Sequence, residues 1–302
     1  MRSNGDFNFS RGEVIKLSVP FIGISEAVSL INNRAVIAVS GNMDMSPMAI
    51  IREIIRSELK QLHLLCSGSV AINADILIGA GIIDTIELSH ITLGEFGFAP
   101  HYRRAAENGI VKTLDHSCPG FAAGLQAAVM GLPFMSVQGM LGTDYLKVRA
   151  DFKVISNPFP PYQDIVLVPP IQPDVSIFHA YQADRSGNVI VNKMQNNRVL
   201  AQASKQVIVS VEEIVEVGHL NHSLGTLVPS QYITAIVEAP YGAYPTSCTP
   251  YYSMDRDYIL KYVEASKSTE AFERYLHENI ITYSNYTDYI HRFIRQESCY
   301  DI

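Results

Sequence analysis

The chain has 302 residues, 47% of them hydrophobic and 18% charged, with a formal net charge of −7. This composition can bury a large core and excludes an extended disordered tract, while the length sits where one α/β domain usually gives way to two. With 30 Asp and Glu against 23 Lys and Arg, the chain as a whole lacks the basic field that a nucleic-acid surface needs to neutralise phosphates.

The opening stretch MRSNGDFNFSRGEVIKL has no apolar leader core, and no apolar run approaches the ~18 residues of a membrane helix. A cytoplasmic chain with no membrane span is expected. Cys66, Cys118, Cys248 and Cys299 form no CxxC pair, which fits reduced thiols, with Cys66 and Cys118 expected in the core. From residue 35 to about 215, short β-branched runs alternate with helical patterns: AVIAVS, LHLLCS, ILIGAG, TIELSHITL, PFMSVQ, DIVLVP, VSIFHA and QVIVSVEEI are the strand candidates. The alternation predicts an α/β fold with an open, mostly parallel sheet and helices on both faces. Between the first two strands, SPMAIIREIIRSELK predicts a helix with Ser46 as N-cap, Pro47 at the first helical position, and Met48, Ile51, Ile55 and Leu59 on one face. HYRRAAENG predicts a helix stopped at Asn108-Gly109, and PGFAAGLQAAVMG one that ends at Gly131. Beyond residue 225, Pro229, Pro240, Pro245 and Pro250 break the chain into an irregular, tyrosine-rich connection. DRDYILKYVEAS, STEAFERYLHEN and NYTDYIHRFIRQE then carry aromatic and aliphatic residues at helical spacing. The expected organisation is an α/β domain over 1–225 and a connection with helical extension over 226–302.

Ligands of open parallel sheets bind beyond the carboxyl ends of the strands. The residues there are Ser40, Gly41 and Asn42, then Ser67, Gly68 and Ser69, then Glu95, Gln138, Gly139 and His179. Together they suit an acyl or carboxylate ligand, although any single Ser or Gly among them also reads as a turn former. Phe96, Phe98, Phe121 and Met135 are either pocket lining or core. Glu95 follows an apolar strand and precedes Phe96-Gly97-Phe98, a setting expected to raise its pKa and suit a general acid or base. The GAG at 79–81 has Asp84 where a dinucleotide fingerprint needs its third glycine. His219 and His222 have no further ligand nearby at metal-binding spacing, so no metal is expected.

The runs MSPMAIIREIIRSELKQLHLL, ADILIGAGIIDTIELS, FGFAPHYRRAAENGIV, GLPFMSVQGMLGTDYLKV, PDVSIFHAYQADRSGNVIV and YGAYPTSCTPYYSMDRDYILKY resemble the α (A) subunit of class I CoA-transferases, most closely the glutaconate CoA-transferase type. The resemblance covers nearly the whole chain, and GTDYL and HAYQADRSGNV are its most specific pieces. It implies a sheet-centred α/β fold, coenzyme A as part of an acyl-CoA substrate, and a B-type partner subunit in a heterodimer or heterotetramer. It also implies a mechanism in which a glutamate on the B subunit, commonly before Asn-Gly, becomes a glutamyl-CoA thioester. Glu107-Asn108-Gly109 mimics that signature at a helix end, where Asn-Gly is an ordinary stop. On this reading Glu95, Gly41 and Asn42 serve catalysis. Ser40, Ser67, Ser69, Phe96, Phe98, Gln138 and Gly139 contact substrate, and Arg103, Arg104 and Lys147, with Arg149, are the sparse cations for CoA. The first-strand turn, Ser40-Gly41-Asn42-Met43, keeps one glycine where the family has a glycine-rich turn, and the family glutamate near Gly94 is shifted to Glu95. An acyl-CoA hydrolase of the same fold, including the steroid ring-opening type, and a catalytically silent scaffold are the alternatives.

Overall fold

Alternating strands and helices build one dominant sheet; a computed structural model describes residues 19–297. The first half of the chain runs α1 (Ile24–Ser29), β1 (Val36–Val39), α2 (Met48–Arg56), β2 (Leu62–Cys66), β3 (Ser69–Val70), α3 (Ile72–Gly79), β4 (Ile83–Leu88), β5 (His90–Ile91), α4 (Pro100–Glu107) and β6 (Lys112–Asp115). Next come α5 (Cys118–Met130), β7 (Met135–Val137), α6 (Tyr145–Val148), β8 (Lys153–Ser156) and β9 (Asp164–Val168). The chain then returns through β10 (Val175–Asp184), β11 (Val189–Val191), α7 (Asn197–Ala203), β12 (Gln206–Val215), β13 (Thr226–Val228) and β14 (Ala235–Glu238), and ends in α8 (Arg256–Ala265), α9 (Thr269–Leu276) and α10 (Tyr286–Glu297).

Strands β6-β4-β2-β1-β10-β12-β14 lie side by side in that order, and every neighbouring pair is parallel. β11 pairs antiparallel with the carboxyl half of β10, and β13 with β11. All ten residues of β10 are buried, as a central strand covered on both faces requires. The chain leaves β1 toward β2, β4 and β6, then returns to build β10, β12 and β14 on the other side. The strand order therefore reverses between β1 and β10, and the crevice beyond their carboxyl ends is where such a sheet places a ligand.

One face packs Ile37, Val39, Leu64 and Ile86 against α1, α2, α3 and the C-terminal helices. The other packs Ala38, Leu65 and Phe178 against Phe121 and Leu125 of α5 and Leu200 of α7. The expected sheet with helices on both faces is present, as are the helices at 100–107 and 118–130 and the helical C-terminus. Gly109 (φ 64) and Gly131 (φ 64) adopt the left-handed conformation that stops α4 and α5.

Several elements differ from the sequence reading. ILIGAG, read as a strand, belongs largely to helix α3; α3 is buried almost throughout, Asn73 and Asp75 included, so no amphipathic period distinguishes it from a strand. TIELSHITL breaks at Ser89 so that β5 can pair with β3. PFMSVQ and DIVLVP, as β7 and β9, form a separate antiparallel sheet in the order β7-β9-β8. Around that small sheet Phe134, Val148, Val154, Ile155 and Phe159 are exposed. Ser46 is not the helix cap, because Pro47 holds that position and the Ser46 hydroxyl donates to the Asn42 carbonyl at 2.6 Å. Cys66 is buried but Cys118 is exposed; Cys299 and the first 18 residues lie outside the described part. β13 and β14, residues 226–228 and 235–238, join the main sheet, and the irregular connection follows them. Among the described residues no helix is long and apolar enough to cross a membrane.

The C-terminal helices dock through aromatic edges, with Tyr262 against Tyr275 at 5.6 Å and Tyr258 against Tyr275 at 6.0 Å. They also reach a buried carboxylate in α3. Asp75 accepts from Tyr262 Oη at 2.6 Å and from the Tyr102 amide at 2.8 Å, and burial pushes its pKa up to about 6.

Candidate active site

The parallel ladders continue one residue beyond the carboxyl ends of their strands. Ser40 N–H donates to Ile177 O at 3.3 Å, Ser67 N–H to Val39 O at 2.9 Å and His116 N–H to Leu88 O at 2.8 Å. Past this edge the chain turns sharply at Gly41, whose φ is +94° and where a Cβ would lie 2.4 Å from the Met45 carbonyl oxygen. Only glycine fits there. The Asn73 side-chain amide holds the turn from below, donating to Ser40 O at 3.2 Å and Gly41 O at 2.9 Å. Asn42 N–H donates to Asp44 O at 3.1 Å. With the amides of Ser40 and Asn42 committed, Gly41 N–H is the one in this trio with no acceptor among the described residues, so it alone can donate to a ligand oxyanion.

A polar frame surrounds the turn. Asp44 accepts from Ser247 Oγ at 2.7 Å and Asn192 Nδ2 at 2.8 Å. Burial pushes the Asp44 carboxyl up, and these two hydrogen bonds oppose the shift. Gln195 Nε2 donates to Asp44 O at 3.1 Å, and Ser40 Oγ donates to Gln195 Oε1 at 3.4 Å. Asn73, Asn192 and Gln195 were missed in the sequence. Asn73 lies in the first turn of α3, where its Oδ1 accepts from the Ala71 and Ala74 amides without being the helix cap, so it carried no capping signal; the asparagine-rich stretch around 192–197 carried only a turn signal.

Behind the turn, His179 lies fully buried, with Nδ1 2.8 Å from Ser210 Oγ and Nε2 2.6 Å from Glu212 Oε1. Glu212 also accepts from the amides of Tyr241 at 2.6 Å and Gly242 at 3.1 Å and from Tyr252 Oη at 2.5 Å. The potential ligand atoms of His179, Glu212 and Cys248 lie within 4.8 Å of one another, a donor set that zinc accepts. Here the Glu212 oxygens are occupied by N–H and O–H donors, and burial pushes the Cys248 thiol up, toward its protonated form. The arrangement is a hydrogen-bonded network.

Glu95 sits on a single 3-10 turn, Gly94–Phe96, whose Gly94 faces Met43 of the β1 turn. Its side chain is half exposed and forms an ion pair with Arg256; the Arg256 guanidinium lies 5.3 Å from the Phe96 ring centroid. Phe96 packs partly into the core, whereas Phe98 is 74% exposed. Ser67 is buried at the end of β2, and Ser69 lies in β3. Gln138 and Gly139 follow β7 of the small antiparallel sheet, and the next residue, Met140, lies against Gly120 at the start of α5. Met135 belongs to β7, and Phe121 is core.

The four basic residues expected at CoA all have partners within the chain. Arg103 pairs with Glu107 at 2.9 Å, Arg104 Nη2 lies 3.0 Å from His101 Nδ1, and Lys147 pairs with Asp144 at 2.6 Å. Arg149 is buried, and its Nη2 reaches Asp151 at 2.8 Å and Glu87 at 2.9 Å. Glu87 also contacts His116 and lies 3.5 Å from His63. Burial opposes ionisation of Glu87, but His116, His63 and Arg149 outweigh it and hold the carboxyl well below its ordinary range.

Comparisons with known proteins agree with this fold. The family profile described as Coenzyme A transferase matches residues 22–239. The A-type subunit of the 3-oxoadipate CoA-transferase of Pseudomonas knackmussii is 32% identical over 263 residues, covering 85% of this chain and 92% of that protein. The crystal structure of glutaconate coenzyme A-transferase from Acidaminococcus fermentans superposes with a TM-score of 0.84 at 28% identity, covering 90% of this chain and 92% of that one. An uncharacterized Archaeoglobus fulgidus protein is 31% identical over 247 residues; the match covers 80% of this chain but only 55% of that longer protein. A cholesterol ring-cleaving hydrolase subunit of Mycobacterium tuberculosis is more distant, at 25% identity over 283 residues, 89% of this chain and 96% of that one. The chain belongs to the coenzyme A transferase family.

Proposed function

We propose that this chain is the A-type member of a heteromeric, cytoplasmic CoA-transferase that moves CoA between an acyl-CoA and a carboxylic acid. The observation that carries the reading is a crevice with an oxyanion donor and, among the described residues, no unpaired glutamate beside it. Gly41 N–H is open, while Glu95 and Glu107 are paired with arginines and Glu87 and Glu212 are locked in buried networks. The nucleophile then comes from a B-type partner. Its glutamate attacks the thioester carbonyl and expels CoA thiolate, leaving a mixed anhydride. The thiolate attacks the glutamyl carbonyl and releases the first carboxylate, and the glutamyl-CoA thioester passes CoA to the second acid by the reverse steps. Gly41 N–H stabilises the oxygen that gains charge at each addition. Glu95 is the acid–base group at the mouth of the crevice. Because Arg103, Arg104 and Lys147 are engaged within the chain, we assign most of the binding of the anionic CoA phosphates to the partner.

The hydrolase alternative is not favoured. The transferase relatives share more sequence with this chain than the hydrolase relative does, 32% against 25% identity. The test is to incubate the chain, alone and with a B-type partner, with an acyl-CoA, trap with borohydride and locate the product by mass spectrometry. The expected product is a reduced glutamate on the partner and none on this chain. A trapped Glu95 or Glu107 in the chain alone overturns the reading.

A further inference from the structure

At the amino edge of the sheet, opposite the crevice, a cavity of about 380 Å³ opens ahead of β1, β10 and β12. Arg34, Asp174 and Lys205 line it, together with Asn32, Asn33 and Gln206. Two turns that clasp each other support the Arg34 wall. In the first, Ala35 N–H donates to Asn32 O at 3.2 Å, and Arg34, at the third position of the turn, has a φ of 64°. In the second, Gln61 has a φ of 58°. Arg34 N–H donates to Lys60 O at 3.2 Å, Lys60 N–H to Asn33 Oδ1 at 2.7 Å and Arg34 Nε to Gln61 Oε1 at 3.0 Å. A turn that needs a left-handed third residue takes glycine or asparagine there, because a longer side chain crowds the backbone. Here two long side chains hold that conformation side by side, and backbone strain of this kind persists where a side chain has a task.

The charges around the cavity leave donors open and no acceptor. Asp174 Oδ1 accepts from Lys205 Nζ at 2.8 Å and Oδ2 from the Val36 amide at 2.9 Å. The hydrogen bond from Lys205, followed by that from Val36, holds the Asp174 carboxyl below its ordinary range. Both carboxylate oxygens are thus used, whereas the Lys205 ammonium and the Arg34 guanidinium keep unused N–H groups. Gln61 is neutral, so the Arg34 charge is oriented and not cancelled. Two cations therefore face one anion, on a chain whose net charge is −7.

We propose that Arg34 and Lys205 form a binding site for the carboxylate of a small monoanion at the amino edge of the sheet, separate from the crevice at Gly41. With Nε taken by Gln61, the two Nη groups of Arg34 meet the two carboxylate oxygens in parallel, the geometry for which a guanidinium is matched. Lys205 Nζ approaches the same group from the facing wall. One excess positive charge suits a carboxylate better than a phosphate dianion.

The test titrates the full-length chain, labelled with 15N, with acetate and separately with inorganic phosphate at constant ionic strength. The backbone amides of Asn33 and Val36 report the cavity, and that of Gly41 reports the crevice. Acetate is expected to shift Asn33 and Val36 saturably. Arg34→Gly should weaken that Kd about tenfold or more, the value of a hydrogen bond to a charged group. Its Tm should stay level or rise as the left-handed turn relaxes, a split that a merely structural arginine would not give. Lys205→Gln should weaken the Kd about threefold, as an exposed charge does, and neither change should alter the response of Gly41. The proposal is overturned if Asn33 and Val36 show no saturable shift, if the shift survives in Arg34→Gly, or if the Tm of that variant falls together with binding. Tighter binding of phosphate than of acetate overturns the assignment to a carboxylate.

Discussion

Two polar regions lie back to back at the switch point of the sheet, and they differ in how completely their groups are paired. In the network of His179, Ser210, Glu212 and Tyr252, both imidazole nitrogens have partners and the carboxylate takes four donors. In the adjacent crevice, Gly41 N–H has no acceptor among the described residues. Saturation marks a region whose task is to hold its shape, and open valence marks one whose partner arrives from solution. The paired region supports the unpaired one, since Asp44 and Gly242 both lie close to His179.

Four substitutions sharpen or break this contrast, in order of decreasing effect on stability. Gly41→Val drives a Cβ into backbone at a left-handed position, so it is expected to cost about 3 kcal/mol or more and to abolish the soluble, folded chain before any effect on rate can be read. A variant melting at the wild-type temperature would show that the turn tolerates a side chain. Glu212→Gln places an NH2 against the donors at Tyr241 and Gly242, and about 3 kcal/mol should be lost in denaturant titration. A loss below about 1 kcal/mol would mean that the network repacks without its carboxylate.

Asp75 gives a pH signature. Its folded pKa is raised from 3.8 to about 6, so the folded state holds the proton more tightly than the unfolded one. The Asp75 contribution is therefore fully present below about pH 4, and falls by about 1.4 kcal/mol per unit as pH rises toward 6. Asp75→Asn should remove that slope, as read from urea midpoints at several pH values, and an unchanged profile would refute it. The smallest effect on stability belongs to Glu95→Gln, within about 0.5 kcal/mol because the pair with Arg256 is exposed. Turnover of the assembled enzyme should nevertheless fall about 100-fold if Glu95 moves a proton; near-normal turnover would leave it a surface ion pair.

Much of this was legible in the residues. The parallel sheet followed from β-branched runs alternating with helices, and the stops at Gly109 and Gly131 followed from glycine's freedom to turn left-handed. The turn at Ser40-Gly41 was legible as a strand end, but the donor that stays free depends on where Asn42 N–H and Asp44 O meet, and composition does not encode that. α3 was misread because a helix buried on all sides loses its period, and β7 and β9 because short apolar runs do not reveal which sheet they join. Arg149 looked like a cation available to CoA. Asp151 stands 2 positions away in the sequence, but only the fold brings Glu87 to it, from 62 positions away.

The small sheet β7-β9-β8 has a consequence for handling the protein. Val154 and Ile155 lie on β8, a strand at the sheet's margin, with Phe134, Val148 and Phe159 also exposed. An open strand edge beside apolar surface invites self-association. Preparations of the lone chain should therefore scatter more light as concentration rises, while Val154→Lys should keep them clear; purification buffers and tag placement ought to be chosen with that margin in mind.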